Sequence, residues 1–202
     1  MTDPPSAEFS FGGRLSLDLT WTVRYRAVWP TELLVNPDDL RRWLEAVGLP
    51  APEAPTEADL RRTRELREAI YHGAAALVGG DLVGAETAAV INRWAAEPTP
   101  YPILGPDGTA QVDAPAGTET SASLSVIARD AIDLLAGAGD GRLRRCEGPH
   151  CSLLFHDDSR PGTRRWCTTA RCGNKVNTKA YRDRRRRGAS DRRNPTRATV
   201  DP

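Results

Sequence analysis

The sequence predicts a mainly α-helical fold with small β elements, in which a helical N-terminal domain precedes a small cysteine-rich module. Three observations predict it. Between residues 36 and 136, apolar side chains recur at the helical spacings of three and four. All four cysteines of the 202-residue chain fall between residues 146 and 172. The charge changes sign at residue 142, where an acidic body gives way to a basic end. We expect the helical domain over residues 8–138, the module over 142–187 and a disordered tail over 188–202.

The first element lies in residues 9–25, where apolar side chains occupy every second position from Leu15 to Tyr25. A period of two predicts a β-strand, so we expect one here. A buried helix beginning near Gly13 would carry the same side chains and stays open as the alternative.

Two helices with clear start signals follow. In NPDDLRRWLEAVG, Asn36 caps the helix, Pro37 takes its first position and Gly48 ends it. In TEADLRRTRELREAIYHGAAALVGG, the three-residue spacing of Thr56 and Asp59 predicts a capping box. The candidate core positions are Leu40, Trp43, Leu44 and Val47 in the first helix, and Leu60, Leu66, Ile70 and Leu77 in the second.

Three further elements complete the N-terminal domain. A helix covers about residues 82–96. YPILGPDGTAQV then predicts a hairpin around the turn GPDG. SASLSVIARDAIDLLAGAG predicts a helix that ends at Gly137 and Gly139. Its apolar face consists of Leu124, Ile127, Ala128, Ala131, Leu134 and Leu135.

Several classes of protein are not expected. No apolar run approaches the roughly 20 residues of a membrane helix, and MTDPPSAEFSFGG has no basic segment followed by an apolar one. We therefore expect a cytoplasmic protein with reduced thiols and no membrane partner. We also expect no enzyme, because the chain has neither a glycine-rich phosphate loop nor an H-E-x-x-H motif. An enzymatic site built on Asp18 and arginines of the helical domain stays open.

The cysteines form two C-x4-C pairs separated by fifteen residues, Cys146 with Cys151 and Cys167 with Cys172. Such pairs suit a tetrahedral Zn²⁺, because each tight turn aims two sulfurs at one point. Disulfides need an oxidising compartment, and free core cysteines would not cluster in pairs among charged residues. The four thiolates therefore predict one structural zinc per chain. A histidine, His150 or His156, could replace a sulfur, but four sulfurs already fill the shell of the ion.

The spacer and the residues after the last cysteine predict the rest of the module. SLLFHDD forms a strand, SRPGTRR a turn and RWC a second strand, so the spacer folds into a hairpin. A helix then runs from Gly173 to residue 187. A turn, a hairpin and a basic helix around four thiolates make a treble-clef-like zinc module.

The charge distribution indicates a nucleic-acid partner. Residues 1–141 carry 11 arginines against 21 acidic residues, a net charge of −10, whereas residues 142–193 carry 16 basic against 5 acidic residues, a net charge of +11. A GC-rich genome would explain the preference for arginine over lysine but not the change of sign. The predicted nucleic-acid-binding residues are Lys175, Lys179, Arg182, Arg184, Arg185, Arg186 and Arg187 of the helix, with Arg164 and Arg165 of the spacer in support. Arg160 can extend this positive surface.

DNA is not the only candidate partner of the basic end. A basic run with almost no acidic residue repels itself unless a polyanion neutralises it, which favours DNA over a solvated charged face. The basic end could instead dock on the acidic body of a second copy, on another protein or on RNA. We expect DNA binding, with a homodimer and a small-molecule effector of the N-terminal domain as further candidates.

The two cysteine pairs, the spacer between them and the residues that follow resemble the CGNR zinc-finger family of bacterial proteins, whose N-terminal region is the ABATE domain. The C-terminal block of that family is matched in order by Cys146, Cys151, Phe155, Asp157, Ser159, Arg160, Arg164, Arg165, Trp166, Cys167, Cys172, Gly173 and Asn174. Its L-D-F-x-N-T segment is matched more loosely by residues 17–22. The resemblance implies a stress-induced transcription regulator and favours DNA as the partner.

The chain departs from the family at two positions. Lys175 stands where the family has an arginine, so the bidentate contacts of that arginine do not carry over. Trp21 stands where the family has an asparagine, so any polar role of that asparagine is lost as well. In the same segment, we expect Asp18 to be a helix cap or the buried partner of Arg14 or Arg24.

For four residues of the zinc motif we prefer structural roles to ligand contacts. We expect Trp166 to pack beneath the hairpin, and Asp157 to accept a hydrogen bond from an arginine or from the backbone. Gly173 permits the turn after the last cysteine, and Asn174 caps the basic helix.

Overall fold

A computed structural model of the chain describes residues 9–173. These residues form a mainly helical protein with three small two-stranded sheets, which confirms the predicted fold class. The helices are α1 (Leu15–Thr20), α2 (Pro37–Ala46), α3 (Glu57–Gly79), α4 (Ala85–Ala95) and α5 (Glu119–Ala136). The strands are β1 (Val23–Arg24), β2 (Thr31–Glu32), β3 (Tyr101–Leu104), β4 (Ala110–Asp113), β5 (Leu143–Arg145) and β6 (Leu154–His156).

Some predictions fall outside the described residues. They are the basic helix beyond Gly173, with Asn174 as its cap, and the tail over residues 188–202. Between residues 9 and 173, no helix combines the length and the apolar character that crossing a bilayer requires.

The strand predicted in residues 9–25 is wrong over residues 15–20, where the helical alternative is correct, and only Val23–Arg24 at the end of the segment forms a strand, β1. Leu15–Thr20 forms α1, shortly after Gly13 with its φ of +89°. All residues of this helix except the first are buried, so it contacts other elements all round and needs no apolar stripe of helical period. Leu19 packs in the core of the helical domain, whereas Leu17 packs in a second cluster shared with β5 and β6.

Side-chain caps predicted from the sequence begin α2 and α3. The Asn36 side chain accepts the backbone N–H of Asp39 at 3.0 Å, and the Asp39 carboxylate accepts that of Asn36 at 3.0 Å. Thr56 and Asp59 make the same reciprocal pair. These bonds satisfy N–H groups that the first turn of a helix leaves without partners. Gly48, with a φ of +72°, follows the end of α2 as predicted.

The helices enclose one apolar core, to which α1 contributes Leu19. The predicted core residues Leu40, Trp43, Leu44, Leu60, Leu66, Ile70, Leu124, Ile127, Ala128, Ala131 and Leu134 are buried. Val47, Leu77 and Leu135 lie at or near helix ends and pack at the edges of the apolar clusters, where they are only partly buried.

β3 and β4 form the predicted hairpin, in which Tyr101 lies opposite Asp113 and Leu104 opposite Ala110. Every residue of the two strands is exposed. The hairpin therefore adds nothing to the core of the helical domain.

β5 and β6 form the antiparallel sheet of the C-terminal module, with Arg144 opposite Phe155. The second strand predicted at RWC is wrong, because residues 165–167 form no strand. The backbone N–H of Cys167 donates to the Sγ of Cys146 at 3.2 Å and is not available to a neighbouring strand. The strand that pairs with β6 precedes the first cysteine instead of following the spacer.

Candidate metal centre and its surroundings

The four cysteine sulfurs converge on one point. Cys146 follows β5, Cys151 precedes β6, and Cys172 lies in the short turn Thr169–Gly173. All four Sγ atoms lie within 4.8 Å of one another, and that of Cys167 is 3.9 Å from Cys151 Sγ and 3.7 Å from Cys172 Sγ. Zinc with Zn–S bonds of about 2.3 Å in a tetrahedron places its sulfurs about 3.8 Å apart. A disulfide needs about 2.05 Å, so the cluster fits a metal ion and not a disulfide.

Hydrogen bonds stabilise the thiolate form of Cys146. Its Sγ lies 3.4 Å from the backbone N–H of Gly148 and 3.2 Å from that of Cys167. The neighbouring thiols of Cys151 and Cys167 lower the pKa of Cys146 most, and these two N–H groups lower that pKa further. Because the thiolate is the form that binds metal, this environment suits a zinc ligand.

Gly148 lies where a side chain would collide with the metal centre. A Cβ at this position would sit 2.8 Å from the Sγ of Cys172 and 3.2 Å from the Cβ of Cys151. The two cysteine turns can approach each other this closely only because glycine has no side chain.

Asp157, directly after β6, is fully buried and holds the spacer together. Its carboxylate accepts the backbone N–H and the hydroxyl of Ser159 at 3.1 and 2.6 Å, and the backbone N–H of Arg164 at 2.7 Å. These bonds, led by the one from the Ser159 hydroxyl, lower the pKa of Asp157. The expectation that Asp157 accepts a hydrogen bond from an arginine or the backbone is confirmed for the backbone.

Arg164 is engaged within the module itself. Its Nε donates to the carbonyl oxygen of Trp166 at 3.1 Å, and its Nη2 to that of Cys167 at 2.8 Å. Its Nη1 donates to the Asp158 carboxylate, and the guanidinium lies 4.7 Å from the centroid of the Phe155 ring. The geometry gives Arg164 a structural role, and the DNA contact predicted for it stays a prediction that these contacts do not favour.

Arg165 has the opposite environment. Its side chain is 63% exposed, and its Nε donates to the Glu147 carboxylate at 2.7 Å. A surface ion pair of this kind contributes about 0–1 kcal/mol, so a phosphate could replace the glutamate at little cost. Arg145 and Arg160 are also exposed, and neither has an ion pair or a hydrogen bond within residues 9–173. The other predicted nucleic-acid contacts, Lys175, Lys179, Arg182, Arg184, Arg185, Arg186 and Arg187, lie outside the described residues.

Trp21 connects the N-terminal domain to the metal centre. It follows α1, is buried, and packs in one cluster with Phe155 and the cysteines. Its indole N–H donates to the carbonyl oxygen of Leu154 in β6 at 2.7 Å. A position that departs from the family motif therefore holds the two parts of the chain together.

Asp18 is buried, but neither predicted arginine is its partner. Its carboxylate accepts the backbone N–H of Gly12 at 2.5 Å. Burial, which disfavours the charged form, raises the pKa of Asp18 to about 6. Arg14 pairs instead with Asp130 in α5, at 3.0 Å, and Arg24 donates to a serine hydroxyl in the N-terminal segment.

The other residues of the zinc motif lie largely where they were expected. Trp166 is partly buried and packs against the cysteine cluster. Gly173 lies against it, since a Cβ there would be 3.3 Å from the Trp166 ring. His156 lies in β6, within the predicted strand SLLFHDD, and His150 is exposed.

Two residues near the metal centre had no signal of their own in the sequence. Arg145 belongs to a sheet that was not predicted, so its exposure beside Cys146 could not be foreseen. Trp29 is exposed and lies against His150, with the ring centroids 5.6 Å apart. A single tryptophan before a proline cannot be told from a core tryptophan by its sequence alone.

Comparison with protein families gives two matches, in the predicted order. Residues 13–138 match the ABATE family, which is described as "Putative stress-induced transcription regulator". Residues 142–185 match the CGNR zinc finger. Comparison with curated proteins gives no match.

The zinc-finger match agrees with the geometry of the four sulfurs, and the module binds one structural zinc. Four protein ligands close the shell of the ion. Because the first match covers more than half of the chain, the chain belongs to the ABATE family and carries a C-terminal CGNR zinc finger.

Proposed function

We propose that the protein is a bacterial, cytoplasmic transcription regulator that binds DNA through its zinc finger and the basic segment after it. The observation that carries the proposal is the position of the charge. Seven lysines and arginines lie between residues 175 and 187, and the first of them comes three residues after the zinc ligand Cys172. The zinc gives this segment a rigid point of attachment, and contacts from Lys and Arg to phosphates supply most non-specific affinity for DNA.

The surface of the zinc finger supports the proposal. Arg145 and Arg160 are exposed and unpaired within residues 9–173, and Arg165 makes only an exposed ion pair and a contact with the Trp166 ring. These side chains can meet phosphates without breaking the structure of the module. Arg164 is left out of the proposed contacts, because its guanidinium is bonded to the carbonyl oxygens of the module.

We propose no catalytic activity at the zinc, since a closed shell of four sulfurs leaves no position for water or substrate. In this proposal the N-terminal domain regulates DNA binding, by binding a small-molecule effector or a second copy of the chain. A polar pocket of about 220 Å³ lies between α5 and β6, lined in part by Arg14, Asp133 and His156. Its volume lies below the roughly 300 Å³ of the smallest typical ligand pockets. Arg14 is also already paired with Asp133, so we assign no effector to this pocket.

The test is binding of the full chain to a mixed-sequence DNA duplex over a range of salt concentrations. We expect the logarithm of the binding constant to fall steeply and linearly with the logarithm of salt concentration. Substituting Lys179→Ala together with Arg182→Ala should reduce that slope by about one to two. The matched control, Arg61→Ala with Arg62→Ala, removes two exposed arginines of α3 and should leave the slope unchanged.

A slope near zero for the unsubstituted chain would reject the proposal. Salt-sensitive capture of an acidic protein, with no retention on DNA, would point to a protein-interaction module. Stronger competition by duplex or single-stranded RNA than by DNA would make RNA the partner.

A further inference from the structure

Three aromatic rings form a surface cluster where the N-terminal domain meets the zinc finger. The loop over residues 25–30, between β1 and β2, places Trp29 between Tyr25 and His150, with ring centroids 6.2 and 5.6 Å from that of Trp29. Trp29 is 57% exposed and the adjacent Val28 is 45% exposed. We call Tyr25, Val28, Trp29 and His150 the aromatic cluster. A contiguous exposed apolar patch of this kind is typical of an interaction surface.

The backbone is strained on both sides of Trp29. Tyr25 has a φ of +54° and His150 a φ of +62°, and they are the only non-glycine residues with positive φ in the described chain. Residues with a Cβ rarely adopt this conformation, and where they do it is often at functional sites. Here the strain holds two rings beside a third that stays exposed, so burial of apolar surface does not account for it.

The loop is fixed to the zinc finger. The backbone N–H of Arg26 donates to the hydroxyl of Ser152 at 2.9 Å. Ser152 and His150 flank the zinc ligand Cys151 on either side. The position of Trp29 is therefore set by the metal-binding turn as well as by its own hairpin.

The turn that contains His150 also contacts Arg165 and the last zinc ligand, Cys172. Glu147 pairs with Arg165, and Gly148 lies against Cys172, the residue after which the basic segment begins. One short turn, residues 146–151, thus connects the aromatic cluster with Arg165 and with Cys172, which precedes the first lysine of the basic segment by three residues.

Building on the proposed function, we propose that Trp29 stacks on a nucleobase of the duplex DNA that the basic segment binds. A base offers the flat apolar face that fits the exposed indole, and the phosphates of the same duplex offer the negative charge that Arg165 and the basic segment require. An apolar protein surface would match the ring but not the charge. Side chains that contact bases in this way partly unstack the duplex, which is easiest at TA steps.

The experiment compares Trp29→Ala, Trp29→Phe and the matched control Tyr101→Ala, an exposed aromatic residue of β3 outside the cluster. Each full chain is titrated with a duplex rich in TA steps, an A-tract duplex and a single strand, over a range of salt concentrations. Zinc content and circular dichroism check that each variant is folded. We expect Trp29→Ala to lose about tenfold or more in affinity for the TA-rich duplex at every salt concentration.

The salt dependence separates this proposal from the one on which it rests. A stacked base adds no phosphate contact, so Trp29→Ala should leave the salt slope unchanged. Trp29→Phe keeps an aromatic ring and should recover part of the affinity. Tyr101→Ala should bind DNA as the unsubstituted chain does. A steep slope in every variant with no loss in Trp29→Ala would overturn the stacking and leave DNA binding standing. No binding by the unsubstituted chain would reject both proposals.

Two other results would overturn the stacking proposal. A loss confined to the single strand would show that Trp29 does not contact duplex DNA. A change from dimer to monomer on sedimentation of Trp29→Ala, with unchanged DNA affinity, would make the aromatic cluster an interface between two copies of the chain.

Discussion

The indole N–H of Trp21 donates a hydrogen bond across 2.7 Å to the backbone carbonyl oxygen of Leu154. Trp21 follows the first helix of the ABATE domain, and Leu154 opens the strand after the second zinc ligand. Both residues are buried, so water cannot take the place of either partner. The zinc finger is therefore anchored on the N-terminal domain by a directional bond as well as by apolar contacts.

Trp21→Phe tests this anchor, because it keeps an aromatic ring and removes the donor. We expect the substitution to lower the free energy of unfolding by about 1–2 kcal/mol more than the loss of ring area alone, since the Leu154 carbonyl loses its indole donor. The measurement is urea denaturation at a fixed zinc concentration.

Trp43→Phe is the matched control for Trp21→Phe. Trp43 is fully buried in the helical core, and its indole N–H has no hydrogen-bond partner in the described part of the chain. This variant loses the same ring area without losing a bond. Equal losses of stability in the two variants would mean that the bond to Leu154 contributes nothing.

The substitution Gly148→Ala should weaken zinc binding. Its new Cβ would sit 2.8 Å from the Sγ of Cys172, so a zinc ligand must move. Crowding of this kind costs about 1–3 kcal/mol, which predicts a loss of zinc affinity of about tenfold. Competition with a chromophoric chelator measures the affinity, and elemental analysis should still give one zinc per chain.

Gly139→Ala provides the comparison, because no atom lies within 4 Å of the Cβ it would add and its backbone is free of positive φ. It should retain the zinc affinity of the unsubstituted chain. A normal zinc affinity in Gly148→Ala would show that the two cysteine turns separate without strain.

Much of the fold could be predicted because its signals are local. The capping residues Asn36 and Thr56 bond to groups only three residues away, and the spacing of the cysteines holds within two short turns. Such signals depend on neighbours in the sequence, so no knowledge of the tertiary structure is needed.

The errors concern segments that are defined by distant contacts. The period of two in residues 15–25 begins in a helix, Leu15–Thr20, that is buried between the helical core and the zinc finger. The RWC segment lacks strand structure because the N–H of Cys167 bonds to a sulfur. Arg164 and Arg165 are neighbours in the sequence, yet one bonds to carbonyl oxygens of the module and the other is exposed. A run of charged residues in the sequence does not show which arginine bonds within the module and which is exposed.

Arg164 and Arg165 should therefore respond differently to substitution. Arg164→Ala leaves the carbonyl oxygens of Trp166 and Cys167 without donors, so we expect a loss of about 1–3 kcal/mol in stability. Arg165→Ala breaks an exposed ion pair and the contact of the guanidinium with the Trp166 ring, 5.0 Å away, and should cost about 1 kcal/mol, while reducing the salt slope of DNA binding. Urea denaturation and the salt titration measure the two effects. A reduced slope with unchanged stability in Arg164→Ala would restore the predicted DNA contact of this arginine.

The buried carboxyl of Asp18 should make stability depend on pH. Burial raises its pKa to about 6, whereas an unfolded aspartate titrates near about 3.9. Between these values the folded protein keeps a proton that the unfolded chain has lost, so stability from this group is complete below about pH 4 and disappears as the pH rises through about 6. Asp18→Asn stays neutral and can still accept the backbone N–H of Gly12. The stability of Asp18→Asn relative to the unsubstituted chain should therefore increase as the pH rises from about 4 to about 6. Loss of zinc at low pH affects both proteins and cancels in this difference. Urea denaturation of the two proteins at each pH measures that difference, and a constant value would show that Asp18 titrates alike in the folded and unfolded states.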